Sequence, residues 1–116
     1  MSADDVVVYE KRTCTTCRTV AELLRSQGIE YEDVQYHVEG ISEDKIRELL
    51  GKAGISARDA LRMREDGAAE LAGGASEDEI VAAMAARPEL LQRPIVVRGD
   101  RAVLARPPEK VLELFD

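Results

Sequence analysis

Along the N-terminal third of the chain, the spacing of hydrophobic residues changes twice. Residues 6–9 form an unbroken β-branched and aromatic run, which is typical of a strand buried on both faces of a sheet. From residue 16 to residue 27 the apolar positions recur at helical spacing, and Gly28 follows as a stop signal. Residues 29–36 then alternate between apolar and polar side chains, which predicts a second strand. The sequence therefore begins with a βαβ unit of about 30 residues.

Helical spacing dominates the middle of the chain, where three helices are predicted. The first is capped by Ser42 and ends at Gly54. The second is shorter. The third begins at Ser76, where Glu79 three residues later completes a capping box, and the glycines directly before it mark the join. The apolar positions that define these helices are, in order, Ile46, Leu49, Leu50 and Ala53; Ala60, Leu61 and Met63; and Ile80, Ala83 and Met84.

The C-terminal quarter of the chain returns to short apolar runs. Two such runs flank Gly99 and Asp100, which indicates a β-hairpin. Pro108 suits the first turn of a final helix. The order βαβ, several helices, ββα predicts an α/β, thioredoxin-like fold in which both halves share one mixed sheet. We expect a single domain over residues 1–116, with a helical insertion at about 42–90.

Composition narrows the possible classes of function. The 116 residues carry a net charge of −7 and are 45% hydrophobic, so the chain suits a soluble globular protein and poorly matches nucleic acid. No apolar run approaches the length of a membrane span, and the acidic start of the chain is unlike a secretory signal. We therefore expect a cytoplasmic monomer with no membrane or nucleic-acid partner, in a compartment where thiols stay reduced.

Both cysteines of the chain lie three residues apart, at the predicted junction of the first strand and the first helix. A C-x-x-C pair at such a junction is a redox signal, because a helix N-terminus and nearby cations lower the pKa of a thiol. Cys14 is predicted to be the reactive thiol in the loop, and Cys17, one helical turn later, can face the same side. Two alternatives stay open: a chance pairing, or part of a zinc site for which His37 is the other candidate ligand.

Arginines form a second group of candidate residues. Arg12 and Arg18 flank the cysteines, and Arg62, Arg93 and Arg106 follow, the last two each directly before a proline. A guanidinium offers several N–H donors in a fixed fork, which suits tetrahedral oxyanions. Taken singly, however, each of these arginines has the character of an ordinary surface residue.

Four segments give the cysteines and arginines a common meaning: YEKRTCTTCR, ARDALRMRE, LLQRPIVV and VLARPPEKVLELF. Together they resemble the glutaredoxin-linked arsenate reductases, a thioredoxin-like family that also contains the Spx-type transcriptional regulators. The resemblance covers nearly the whole chain. It implies that Cys14 is the nucleophile and that Arg62, Arg93 and Arg106 bind the oxyanion. It also implies that Pro94, at the start of the third strand, is cis and faces the cysteine.

The resemblance further implies a reaction, the reduction of arsenate to arsenite. The arginines would hold arsenate while the Cys14 thiolate attacks arsenic, and a second thiol would then attack the adduct and carry off the electrons. The implied reductant is glutathione or another small thiol, acting through glutaredoxin or thioredoxin. The resemblance implies no bound cofactor and no metal. Arg18, next to Cys17, is expected to be a supporting residue of the site.

Two positions depart from the family pattern. Cys17 stands where the reductases usually carry serine, so it is either a second, resolving thiol or a weak hydrogen-bonding partner of Cys14. Lys11 and Arg12 stand where the reductases often have a His-Asn pair, and they could supply cationic stabilisation instead. Because C-x-x-C is the pattern of the Spx-type regulators, a redox-sensing partner of RNA polymerase is an alternative function. A thiol oxidoreductase of unknown substrate is another.

Overall fold

A computed structural model describes residues 5–115 of the chain. Residues 1–4, which include most of the acidic start, and residue 116 lie outside the described residues. The elements are, in order, β1 (Val6–Tyr9), α1 (Thr15–Ser26), β2 (Glu32–Val34), α2 (Tyr36–Glu39), α3 (Glu43–Ala53), α4 (Ala68–Gly74), α5 (Glu77–Ala86), a 3₁₀ turn (Pro88–Leu90), β3 (Ile95–Arg98), β4 (Arg101–Leu104) and a C-terminal 3₁₀ helix (Pro108–Phe115).

The four strands form one mixed sheet in the order β2-β1-β3-β4. β1 pairs with β2 in parallel and with β3 in antiparallel orientation, and β3 and β4 form an antiparallel hairpin. The pairing of β1 with β3 joins the N-terminal βαβ half to the C-terminal ββα half. The predicted thioredoxin-like plan, with both halves in one sheet, is therefore confirmed.

Each face of the sheet is covered by its own layer of helices. On one face, α1 and the C-terminal 3₁₀ helix cover a core that includes Val6, Val8 and Val96. On the other face, the helices between residues 36 and 90 cover a larger core that also receives Val7. Because neighbouring residues of β1 point to opposite layers, the unbroken apolar run of this strand is required by the fold. Among the helices within residues 5–115, none is long and apolar enough to cross a membrane.

The two helix caps that the sequence predicts are present. The Ser42 side chain accepts a hydrogen bond from the backbone N–H of Lys45, and Gly54 ends α3 in the left-handed conformation. At the start of α5, Ser76 and Glu79 exchange both hydrogen bonds of a capping box. Such local bonds satisfy backbone groups that a helix end leaves unpaired, which is why they are readable in the sequence.

The structure differs from the sequence predictions at three places. The segment around Ala60 and Leu61 is not a helix but pairs with residues 90–92, through bonds from the backbone N–H of Arg62 to Leu90 (2.7 Å) and from that of Gln92 to Ala60 (2.8 Å). The glycine pair at residues 73 and 74 does stand before the helix capped by Ser76, as predicted, but it also ends α4, a helix that the sequence analysis missed. The second strand spans only three residues, and the helix α2 begins directly after it.

Tyr36 fastens α2 to the segment that leads into β3. Its side chain is fully buried, and its hydroxyl donates a 2.5 Å hydrogen bond to the backbone carbonyl of Leu91. The segment 90–92 is therefore held from two sides, by Tyr36 and by the strand-like bridge between Leu61 and Leu91. This anchoring sets the position of Arg93, the next residue along the chain. The peptide bond between Arg93 and Pro94 is cis, as predicted, and that between Arg106 and Pro107 is also cis.

We predict that Tyr36→Phe lowers the free energy of unfolding by about 1–3 kcal/mol, because it leaves the buried Leu91 carbonyl without its donor. Urea denaturation followed by far-UV circular dichroism measures the change. Tyr31→Phe is the matched control, because Tyr31 is only partly buried, and it is expected to change stability by less than about 0.5 kcal/mol. Equal stability of Tyr36→Phe and the parent would contradict the anchoring role.

Candidate active site

Cys14 lies where the chain passes from the loop after β1 into α1. It occupies the N-cap position with extended backbone angles (φ −78°, ψ 126°). Its N–H donates to the Lys11 carbonyl at 2.9 Å, and its own carbonyl accepts the first helical bond from Arg18 at 3.0 Å. The side chain is half-buried, so the sulfur is held by the backbone on one side and open on the other.

The surroundings of Cys14 lower the pKa of its thiol. Burial works in the opposite direction, but it is outweighed by the backbone N–H of Cys17, the thiol of Cys17, the N–H of Thr16 and the charge of Arg106. The Cys14 side chain makes no complete capping hydrogen bond. It nevertheless lies at the positive end of the helix, where an anion is favoured. A thiol in this position ionises more readily than an ordinary cysteine.

Cys17 has the opposite character. Its side chain is fully buried on the inner face of α1, and this burial raises the pKa of its thiol to about 12. A hydrogen bond from the backbone N–H of Lys11 lowers the pKa, whereas Cys14 and Glu10 raise it further. Both cysteines are free thiols. The C-x-x-C pair thus combines a half-buried thiol of lowered pKa with a fully buried thiol of raised pKa.

Arg93 is the buried cation of the site, with only 3% of the residue exposed. Its guanidinium donates to Glu89 at 3.1 Å. Burial lowers the pKa of Arg93, but Tyr36, the Glu89 carboxylate and Cys14 together raise it above its ordinary value. Its Nε–H is buried and has no hydrogen-bond partner among the described residues. A buried guanidinium donor without an acceptor is expensive, so this atom marks a place that an anionic acceptor would fit.

Arg106 completes the group around Cys14. Its Nη2 lies 3.8 Å from the Cys14 sulfur, and its Nε–H donates to the backbone carbonyl of Arg93 at 2.8 Å. That second bond orients the guanidinium and ties it to Arg93. Two arginines that lie 13 positions apart in sequence are therefore joined to each other near one thiol.

The remaining predicted site residues lie further from the thiol. The Arg62 guanidinium donates to Glu65 at 2.5 Å, and no hydrogen bond or ion pair joins it to Cys14 among the described residues, so its oxyanion-binding role stays a prediction. Arg18 is exposed on α1. Lys11 pairs with Glu89 at 3.2 Å and Arg12 with Asp33 at 3.1 Å.

The sequence analysis missed a buried carboxyl group beside the C-x-x-C pair. Glu10 is only 5% exposed, and burial, together with the charge of Asp33, raises its pKa to about 7 against the opposing charges of Arg12 and Arg25. It forms part of the wall of a cavity of about 690 Å³ beside α1. The signal was available, because residue 10 continues the alternation of Val6 and Val8 and so falls on their buried face.

No group of three or more histidine, cysteine, aspartate or glutamate side chains that could hold a metal ion occurs within residues 5–115. The side chains described at the site are thiols, guanidinium groups and carboxyl groups. Together they can present a thiolate to an anion, hold that anion with arginine donors, and place a second thiol behind the first.

Comparison with known proteins connects this arrangement to a family. A family model described as the ArsC family matches residues 9–114. The chain is 37% identical to the uncharacterized protein YfgD of Escherichia coli, over 94% of this chain and 95% of that protein. It is 33% identical to the arsenate reductase ArsI1 of Synechocystis, over 100% of this chain and 83% of that protein.

A solved structure is similar over the same extent. It is that of an arsenate reductase from Vibrio cholerae, with a TM-score of 0.89 and 36% sequence identity, and the likeness covers 97% of this chain and 98% of that one. The match extends through α1, the insertion and the hairpin, so it includes every element that places Cys14, Arg93 and Arg106.

We predict that alkylation by iodoacetamide distinguishes the two thiols. In the Cys17→Ser variant, the Cys14 thiol should react rapidly at neutral pH, and its rate should rise with pH at values below the ordinary thiol pKa of about 8.5. In Cys14→Ser, the buried Cys17 thiol should react far more slowly, with a rate that still increases above pH 9. Mass spectrometry over a pH series measures both rates. A lower apparent pKa at Cys17 than at Cys14 would refute the assignment.

Proposed function

The chain belongs to the ArsC family, and we propose that it reduces arsenate to arsenite through the Cys14 thiolate, with an external thiol as the final reductant. Relatives named arsenate reductases, in sequence and in structure, support the substrate. The single observation that carries the proposal is the position of two guanidinium groups, Arg93 and Arg106, at one lowered-pKa thiol.

Arsenate binds first, as an anion in the space between Cys14 and the two arginines. The Nε–H of Arg93, which has no partner among the described residues, and the outer N–H groups of Arg106 are donors that its oxygens can satisfy. Charge-assisted bonds to a tetrahedral oxyanion are among the stronger hydrogen bonds in proteins. The family resemblance assigns Arg62 to the same oxyanion site. Arg62 adds a third guanidinium there if arsenate binding breaks its ion pair with Glu65.

The Cys14 thiolate then attacks arsenic. A sulfur–arsenic bond forms, an arsenic–oxygen bond breaks, and the oxygen leaves as water after taking up protons. Arsenic stays in its oxidised state in this step. The arginine donors are already aimed at the oxygens, so they stabilise the changing charge without reorganisation.

A second thiol completes the reaction by attacking the sulfur of Cys14. The sulfur–arsenic bond breaks and its electron pair remains on arsenic, which leaves as arsenite, while the two sulfurs form a disulfide. Cys17 is the tethered thiol for this step, and a tethered group competes at a high effective concentration. Glutathione or another small thiol, through glutaredoxin or thioredoxin, then reduces the disulfide and returns the protein to its starting state.

The test is arsenate-dependent oxidation of NADPH by the purified protein, coupled through glutathione and glutaredoxin or through thioredoxin and its reductase. We predict that Arg93→Ala and Arg106→Ala each lower turnover by about 10-fold or more, since a charge-assisted bond contributes ~1.5–3 kcal/mol. Arg101→Ala is the matched control, because Arg101 is exposed on the hairpin and bonds only the Glu113 carbonyl among the described residues. It should keep parental turnover.

Unchanged turnover in both Arg93→Ala and Arg106→Ala would place the oxyanion site elsewhere. No arsenate turnover in the parent with either reductant would reject the proposed substrate. If the protein showed no arsenate turnover but bound the α subunit of RNA polymerase directly, these results would favour the redox-sensing regulator as its function.

We predict a second contrast, between the two cysteines. Cys14→Ser should abolish arsenate reduction, because it removes the nucleophile. Cys17→Ser should lose activity when thioredoxin is the sole reductant, because no intramolecular disulfide can form, and it should keep activity with glutathione and glutaredoxin, which can attack the adduct directly. A Cys17→Ser protein as fast as the parent under thioredoxin would remove the resolving role.

A further inference from the structure

The resolving role of Cys17, which rests on the proposed function, raises a problem of proton transfer. The Cys17 side chain is fully buried, and the pKa of its thiol is raised to about 12. At neutral pH almost none of it is thiolate, and the thiol itself is a poor nucleophile. A reaction through Cys17 therefore needs a nearby group that accepts its proton at the moment of attack.

Glu10 lies in the same layer as the Cys17 thiol. Val6 and Val8 of β1 point into the core beneath α1, and Glu10 continues their alternation, with its N–H bonded to the carbonyl of Val34 at 3.0 Å as an extension of the sheet. Cys17 belongs to the buried face of α1 that closes this layer from above. The carboxyl group is near enough that its charge raises the pKa of the Cys17 thiol, and the backbone N–H of the next residue, Lys11, points to the same sulfur.

The groups around Glu10 suit reversible proton uptake. Asp33 of β2 pairs in register with Val8, so its side chain points to the same face as Glu10, and its charge raises the pKa of Glu10. Arg12 in the loop and Arg25 in α1 lower that pKa. The balance holds the pKa of Glu10 at about 7. A carboxyl group with this pKa is about half ionised at pH 7, so it can both accept a proton and release it again. The cavity of about 690 Å³ that Glu10 and Asp33 help to line gives that proton a path to solvent.

We propose that Glu10 is the group that accepts the thiol proton of Cys17 when Cys17 attacks the sulfur of Cys14. The proton passes from sulfur to the carboxylate, the Cys17 sulfur bonds to the Cys14 sulfur, and the bond from Cys14 to its leaving group breaks. In the arsenate reaction the leaving group is arsenic, which takes the electron pair and is reduced, and the two thiols are oxidised to a disulfide. With any mixed disulfide at Cys14, a thiolate leaves instead.

The other groups that face Cys17 are poor acceptors. The charge on Cys17 also affects Tyr36, but the Tyr36 hydroxyl donates to the Leu91 carbonyl and burial raises its pKa, so it holds its own proton firmly. The Lys11 side chain is paired with Glu89 and is a cation. Cys14 is bonded to the leaving group during the step. Glu10 is the carboxyl that remains.

The step can be measured without arsenate, so its outcome is independent of the substrate. Dithionitrobenzoate first reacts with Cys14 and releases one coloured thiolate. Attack by Cys17 then releases a second, and stopped-flow absorbance follows its rate over a range of pH. We expect that rate in the parent to rise as Glu10 loses its proton and to level off above pH of about 7.

Glu10→Gln should slow the second release by about 10-fold or more at neutral pH and should remove the inflection, leaving a rate that keeps rising with pH. A purely electrostatic role predicts the reverse, because loss of the Glu10 charge lowers the pKa of Cys17 and speeds its attack. Glu22→Gln is the matched control, since Glu22 is exposed and lines the same cavity, and it should keep the parental profile. Glu10→Asp should keep an inflection at a shifted pH.

Three results would overturn the proposal. They are an unchanged or faster second release in Glu10→Gln, a slower release that keeps the parental inflection, and a parent that releases only one thiolate. The rate of the first release at Cys14, together with circular dichroism, shows whether each variant is folded. If Glu10→Gln does not fold, the pH profile of Glu10→Asp tests the proposal instead. A normal second release without arsenate turnover would reject the proposed substrate and leave the role of Glu10 standing.

Discussion

The antiparallel pairing of β1 with β3 is the constraint on which the arrangement of the site depends. It puts the C-terminal end of β1 beside the N-terminal end of β3, and β4, antiparallel to β3, ends at the same edge. Cys14 follows β1, Arg93 precedes β3 and Arg106 follows β4, so residues far apart in sequence meet at one edge of the sheet. A slip of one residue in the pairing would turn Val8 and Val96 away from the layer under α1. The core and the site would then be lost together.

Arg93 shows how this edge can hold a charge in the protein interior. An uncompensated buried guanidinium would cost several kcal/mol, and Glu89 supplies the compensating carboxylate. Glu89 is shared with Lys11, so the edge keeps an excess of positive charge once Arg106 is counted. That excess lies in a chain whose net charge is −7. A local excess of positive charge in an acidic chain favours the approach of an anion to this edge of the sheet.

Local signals explain which parts of the fold were predictable. The capping bonds of Ser42 and Ser76 and the apolar run of β1 are decided by residues close in sequence, and the structure contains all three. The segment around Leu61 was misread because its apolar spacing suits a helix, whereas backbone bonds to residues 90–92 hold it in a bridge. Those partners lie about 30 positions away, beyond the reach of any local pattern. Glu10 was missed for a different reason: a charged residue at the end of a buried strand is usually assumed to turn outward.

The two cysteines show that neighbours in a motif need not be equivalent. Cys14 lies at the N-cap, where backbone N–H groups and Arg106 favour its thiolate, whereas Cys17, one turn later, lies under the helix, where burial favours the thiol. Two ionised thiols so close together would repel each other and would be open to oxidation by any passing disulfide. A thiol of lowered pKa beside a thiol of raised pKa avoids both, but the second can react only if a base is available. The packing of α1 on β1 that buries Cys17 also places Glu10 near it, so the same contact keeps the thiol protonated and, in the proposed reaction, supplies the group that accepts its proton.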